Sequence, residues 1–244
     1  TIVTPRPALV PLTTSASWVP ELRGITLTDV LVRVAERKPA APKEAASKKS
    51  GKRTPEREFR SSFLFTHFGL SGPAVMNASR DVTAHPRPAD LDLICDFLPR
   101  QTEAEVNEAI KQAEGRKTVG SIAPEEFPRR FWETLMRLAE VNADTRVAEL
   151  GRAPRERLVQ QIKRCAIPLS GTRGYAQAEV TAGGVALGEV NSSTMESRIV
   201  PGLFLAGEIL DLDGPIGGSH FQAAFSTGWL AGEHACGGSL ALVN

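Results

Sequence analysis

Gly202-Leu203-Phe204-Leu205-Ala206-Gly207-Glu208-Ile209-Leu210-Asp211-Leu212-Asp213-Gly214-Pro215-Ile216-Gly217-Gly218-Ser219-His220-Phe221-Gln222-Ala223 is the stretch whose reading decides the fold. It begins with a short apolar run ending in Gly207-Glu208, the pattern of a buried strand. A Gly-rich loop carrying Asp211, Asp213-Gly214-Pro215 and Gly217-Gly218 follows. A helix then runs from about His220 to Ala235 and is closed by Gly237. The first backbone N–H groups of such a helix have no intrahelical partner and carry the positive end of its dipole. Gly217 and Gly218 remove side chains that would hold a ligand away from them. An anionic or electron-rich ligand is therefore favoured against the turn at 217–222. Spacing alone leaves a plain β-to-α turn equally open.

Working back from this segment, Ala178-Glu179-Val180-Thr181 and Ala182-Gly183-Gly184-Val185-Ala186-Leu187 read as strands. Residues 99–165 are helical. Thr102-Glu103-Ala104-Glu105 fits a capping box, and Val106, Ala109, Ile110 and Ala113 continue one face. Pro128 opens a second helix whose apolar face carries Phe131, Leu135 and Leu138. A third runs from about Pro154 through Leu158, Ile162 and Cys165. Leu91 to Phe97 alternates as a strand, and Ser71-Gly72-Pro73 leads into a short helix. Ile25 to Val34 shows the period of two expected of strands. Residues 36–58 hold Arg37, Lys38, Lys43, Lys48, Lys49, Lys52, Arg53 and Arg57 among Ala, Pro, Ser and Gly, so a mobile loop is expected there. No aromatic residue interleaves these cations, which leaves base stacking unsupported and argues against a nucleic-acid partner.

Across its 244 residues the chain is 41% hydrophobic and 23% charged, with a net charge of +1. Those values suit a globular protein with no strong pull toward polyanions. No apolar run approaches a membrane span. Cys95, Cys165 and Cys236 are far apart in sequence and lack metal-ligand spacing, so inert thiols in a cytoplasmic protein are expected and no metal site is read. The start at Thr1-Ile2-Val3 has neither an initiator Met nor a signal peptide, and reads as the middle of a longer chain.

Thr66-His67-Phe68-Gly69-Leu70-Ser71-Gly72-Pro73, Val180-Thr181-Ala182-Gly183-Gly184-Val185, Thr194-Met195-Glu196-Ser197 before Pro201-Gly202-Leu203, and Gly207 to Gly214 followed by Gly217-Gly218 and Phe221-Gln222-Ala223 occur in a set order. In that order they resemble the BaiN-like, aminoacetone-oxidase-like family of FAD-dependent oxidoreductases. The resemblance implies an α+β protein in three parts. A β-barrel-like domain (7–98 with 166–198) carries an inserted three-helix module (99–165). Residues 1–6 would end a connection from a Rossmann-type FAD domain, and 199–244 would supply the strand, loop and helix that close it. The GxGxxG turn for the FAD pyrophosphate would precede Thr1, so this chain by itself would hold FAD weakly and be inactive. The resemblance also implies that Gly207 and Glu208 approach the ribityl chain and phosphates, with Glu208 on a ribityl hydroxyl. Gly217, Gly218, Phe221, Gln222 and Ala223 would lie beside the flavin, with NAD(P)H as a further redox partner and a small molecule as substrate.

The sequence assigns no catalytic residue. His220 is the candidate, since it could face flavin or substrate, whereas His67 reads as a packed core residue. Asp211 and Asp213 read as loop chemistry, and Trp18, Trp132 and Trp229 as core or domain-contact residues. The alternative to an oxidoreductase part is a non-catalytic binding or interaction module. Substrate and oligomeric state are not legible.

Overall fold

A computed structural model describes residues 1–37 and 57–237. Most of the basic 36–58 segment therefore lies outside the described residues. The described residues fall into two compact units, Pro11–Thr172 and Thr1–Val10 with Arg173–Asn244. The chain enters the second of these units first, through β1 (Ile2–Ala8).

The unit at 11–172 is a closed antiparallel barrel. Its strands are β2 (Leu12–Thr14), β3 (Thr26–Glu36), β4 (Phe59–Phe65), β5 (Gly69–Ser71), β6 (Leu91–Asp96) and β7 (Cys165–Thr172). They close in the order β2-β5-β4-β3-β6-β7. Alternation drives the burial: Leu91, Leu93 and Cys95 of β6 point inward, and their neighbours point out. In β3 the inward set changes parity, from Leu27 to Val30 and Val32, because a register shift between Leu27 and Val30 inserts an extra residue. Asp29 sits beside this irregularity and accepts from Arg60 at 2.7 Å and Arg100 at 2.8 Å. Those guanidiniums, Arg60 foremost, hold its carboxyl at about 2. Pro73 opens α1 (Pro73–Ala84), whose buried Ala74, Val75, Ala78 and Val82 pack into the barrel core.

Between β6 and β7 the chain forms α2 (Glu103–Gln112), α3 (Arg129–Leu138) and α4 (Arg152–Lys163). The Thr102–Glu105 capping box forms as expected, with Glu105 N–H donating to Thr102 Oγ1 and Thr102 N–H to Glu105. The module does not keep a core of its own. Phe131 of α3 lies between barrel aromatics, 5.5 Å from Phe65 and 4.8 Å from Phe97 by ring centroids. Barrel and helices thus share one apolar core. Trp132 is buried beside it and donates Nε1–H to Val119 O at 3.0 Å; Trp18 is partly buried against the same core.

The other unit is built on β8 (Val180–Val185), antiparallel to β1. The sequence reading grouped 166–198 with the β domain; in the structure the barrel ladder ends with β7, and β8 pairs with β1. A loop-rich stretch leads to α5 (Ser219–Ala235). Val190, Met195 and Leu210 form a small core, with Leu205 and Leu230 against it. Here the Thr194–Ser197 motif is turn chemistry. Glu196 Oε1 accepts from Gly202 N–H at 2.8 Å, and Ser197 Oγ from Ile199 and Val200 N–H.

Several expectations change. Leu203 to Ala206 is no buried strand: Leu203 is 43% exposed, and Phe204 makes one isolated bridge, to Glu196. A buried parallel strand needs a ladder on each edge; here the described pairing is one short antiparallel contact, with Ser197 N–H donating to Leu203 O at 2.7 Å and Leu205 N–H to Met195 O at 2.9 Å. His67 is exposed rather than core, lying edge-on to Phe68. Of the tryptophans read as core or domain-contact residues, Trp132 is interior and Trp229 is exposed, which leaves only the second alternative for Trp229.

Cys95 and Cys165, distant in sequence, are direct cross-strand partners on β6 and β7. Burial pushes the Cys165 thiol up to about 12 and the Cys95 thiol well above its ordinary range. Cys236 is exposed. A thiol-specific chromogenic reagent should therefore titrate one thiol in the native protein and three in denaturant. Two native thiols reacting at comparable rates would contradict this burial.

Candidate functional site

The N-terminus of α5 opens onto a cleft of about 420 Å³. Gly218 caps the helix with φ +102°, and Gly217 before it has φ +119°. A Cβ on either would meet nothing within 4 Å, so both glycines face open space. The first-turn N–H groups of α5, left over from its hydrogen-bond pattern, converge there with the positive end of its dipole.

The sequence-predicted residues Gly207, Glu208, Gly217, Gly218, His220, Phe221 and Ala223 all line this cleft. Gln222 does not: its Nε2 turns along the helix to donate to Ser226 Oγ at 2.8 Å. Gly207 is pinned by Thr227 of α5, whose Oγ1 accepts from Gly207 N–H at 2.9 Å while donating to Ala223 O at 2.6 Å. Glu208 is drawn toward β8, where its Oε1 accepts from Thr181 N–H at 2.5 Å. One carboxylate oxygen is thereby fixed, and the side chain still borders the cleft.

His220 is engaged with the loop. Its Nε2 stands 3.3 Å from the amide N and 3.1 Å from the carbonyl O of Gly214, accepting from one or donating to the other according to tautomer. It borders the cleft and clips the Gly214 turn to the helix. Asp211 is held through its backbone, N–H to Val185 O at 2.9 Å. Among the described residues no group of three or more His, Cys, Asp or Glu is arranged to hold a metal ion.

The sequence reading missed the apolar wall. Leu9, Val180, Leu212, Ile216 and Ala224 complete the lining, together with Glu179. Val180 lies within a quoted motif, but nothing in periodicity separates a cleft-lining apolar residue from a core one. The result is a concave seat with apolar walls, backbone donors at one end and a carboxylate at its edge. It suits a flat ring with an electron-rich rim.

Residues 6–180 match the family model described as HI0933-like protein barrel and H2TH domain. The chain belongs to the HI0933-like family. The match spans the closed barrel and the helices between β6 and β7, in keeping with the expected β domain with a helical insert. This HI0933-like chain is 34% identical over 183 residues to the ribosomal RNA dihydrouridine synthase of Escherichia coli K12, covering 72% of this chain and 42% of that protein. It is 33% identical over 174 residues to the 3-dehydro-bile acid delta(4,6)-reductase of Clostridium scindens (70% and 42%). The ribosomal RNA dihydrouridine synthase of Haemophilus influenzae is 35% identical over 174 residues (71% and 42%). The HI0933-like chain thus spans about two-fifths of the length of these relatives, and an oxidoreductase family context is plain from the reductase among them. No helix among its described residues is long and apolar enough to cross a membrane.

Proposed function

We propose that this chain is part of an FAD-dependent reductase that saturates a carbon–carbon double bond conjugated to a carbonyl. The observation that carries the reading is the cleft at the N-terminus of α5, where glycines, backbone donors and apolar walls converge. The names of the relatives add the reaction type. One relative is named a ribosomal RNA dihydrouridine synthase and another a 3-dehydro-bile acid delta(4,6)-reductase, and the common reaction we read from the two names is addition of hydrogen across a double bond conjugated to a ring carbonyl. Bound flavin, reduced by NAD(P)H, would supply the hydride that with one proton saturates the bond.

The chain's own residues fit one face of such a cofactor. Gly217 and Gly218 permit close approach, and the α5 dipole stabilises negative charge on an electron-rich ring edge. Glu208, fixed through one oxygen, offers the other as an acceptor for a hydroxyl. His220 holds the Gly214 turn and so shapes the rim. The exposed faces of Phe221, Phe225 and Trp229, spaced four residues apart on α5, suit cover by a further domain of a longer polypeptide. The substrate's reacting part is a small conjugated carbonyl, whether a free molecule or a uracil ring in RNA.

The test compares two proteins, this chain and a full-length form carrying the additional length found in its relatives. The full-length form should purify yellow and be bleached by NAD(P)H, and this chain should be colourless. A screen of conjugated steroid ketones and uridine-containing ribosomal RNA then assigns the substrate. A full-length protein without flavin would sink the reading in favour of a non-catalytic module. Stoichiometric flavin on this chain would overturn its dependence on the additional length.

A further inference from the structure

Leu9 stands in the left-handed region, with φ +46°, a conformation that a leucine adopts only under constraint. It is buried, with 5% of its surface exposed. Its place is the wall of the α5 cleft, beside Glu179 and Val180. The β1–β8 ladder reaches Ala8↔Val180, and Glu179 N–H then donates to Leu9 O at 3.2 Å. The twisted residue is therefore held at the point where the ladder ends and the cleft begins. Glycine would occupy this φ without strain. A buried leucine at this φ, on the wall of the cleft, points to a task for its side chain there.

We propose that Leu9 is a positioning residue: an apolar wall that seats the flat ring of the bound cofactor opposite the Gly217–Gly218 end of α5. This rests on the cofactor reading above and adds a contact that neither the sequence motifs nor the relatives' names assign. A strained residue at a ligand clamp is a recurrent way of fixing geometry that relaxed backbone would not hold.

The experiment uses the full-length protein with added FAD. Leu9→Gly relieves the backbone and deletes the wall, and Leu9→Asn tolerates the same φ while making the wall polar. Each should raise the FAD dissociation constant by about tenfold or more and shift the visible flavin band, beyond the fall in apoprotein melting temperature that loss of a buried leucine brings by itself. Leu12→Ala, which trims the barrel core, should lower the melting temperature and leave the flavin band in place. Flavin spectra and affinities matching the parent in both Leu9 variants would overturn the role of Leu9, as would a fall in melting temperature with an unmoved spectrum. A parent protein that takes up no added FAD overturns the cofactor reading and this inference together.

Discussion

Replacing Lys163 with Met should cost the barrel unit roughly 3–5 kcal/mol, read as a fall in the urea midpoint at unchanged slope. Lys163 closes α4 and is almost fully buried, with Nζ 2.6 Å from Asp96 Oδ2 and side-chain exposures of 8% and 19%. The same ammonium donates to Leu98 O at 2.7 Å and to Gln101 O. Asp96 ends β6, and residues 98–101 lead into α2, so one side chain ties the entry of the helical module to its exit. Its removal leaves a partly buried carboxylate without its cation and two carbonyls short of a donor. The companion Asp96→Leu with Lys163→Met should recover part of the loss, because the charge and its counter-charge leave together. A single Lys163→Met costing less than about 1 kcal/mol would show that water replaces the ammonium at no penalty.

Gly184→Val should be the most damaging change near the cleft, by about 2–4 kcal/mol of local stability. At φ +132° a Cβ at this position would stand 2.3 Å from Ile209 O and 2.9 Å from Leu210 C, both backbone atoms that cannot swing aside. The close approach is what lets Asp211 N–H reach Val185 O and brings the Gly207–Leu210 turn against β8. Forcing it apart dismantles the wall that carries Gly207, Glu208 and Leu212. Hydrogen exchange at Leu210 and Asp211 should accelerate strongly, while barrel amides stay protected. Gly24→Ala is the control: φ is also positive there, at +86°, but a Cβ meets open space, so only the conformational cost of about 1 kcal/mol remains. Equal effects from the two substitutions would mean that crowding against Ile209 is not the cause.

Much of the architecture was legible because local signals agreed with tertiary demands. The Thr102–Glu105 cap, Pro128 before α3 and the alternation of β3 and β6 each satisfy backbone groups or bury a face in the way their residue types favour. What the sequence could not convey were pairings between distant segments. Cys95 meets Cys165 only because β6 and β7 are neighbours in a closed barrel, and Phe131 seals the barrel only because the helical module folds back onto it. Leu203 to Ala206 was misread for the converse reason, since its apolar run satisfies the pattern of a buried strand without a described ladder on each edge to join. At the cleft, glycines and a helix start gave away the donor end. Leu9 escaped notice because no one-dimensional pattern reports a backbone angle.

Barrel closure also bears on how the protein behaves in concentrated solution. A sheet wrapped into β2-β5-β4-β3-β6-β7 presents no unpaired rim to another chain, so it offers no template for strand addition. The β1–β8 ribbon is less protected. β8 has its outer side partly occupied by Glu208 and Leu210, whereas β1 has no second strand partner among the described residues. Self-association, where it occurs, should therefore grow from the β1 side of the ribbon and leave the barrel intact, and a lysine placed on that edge would be the remedy of choice.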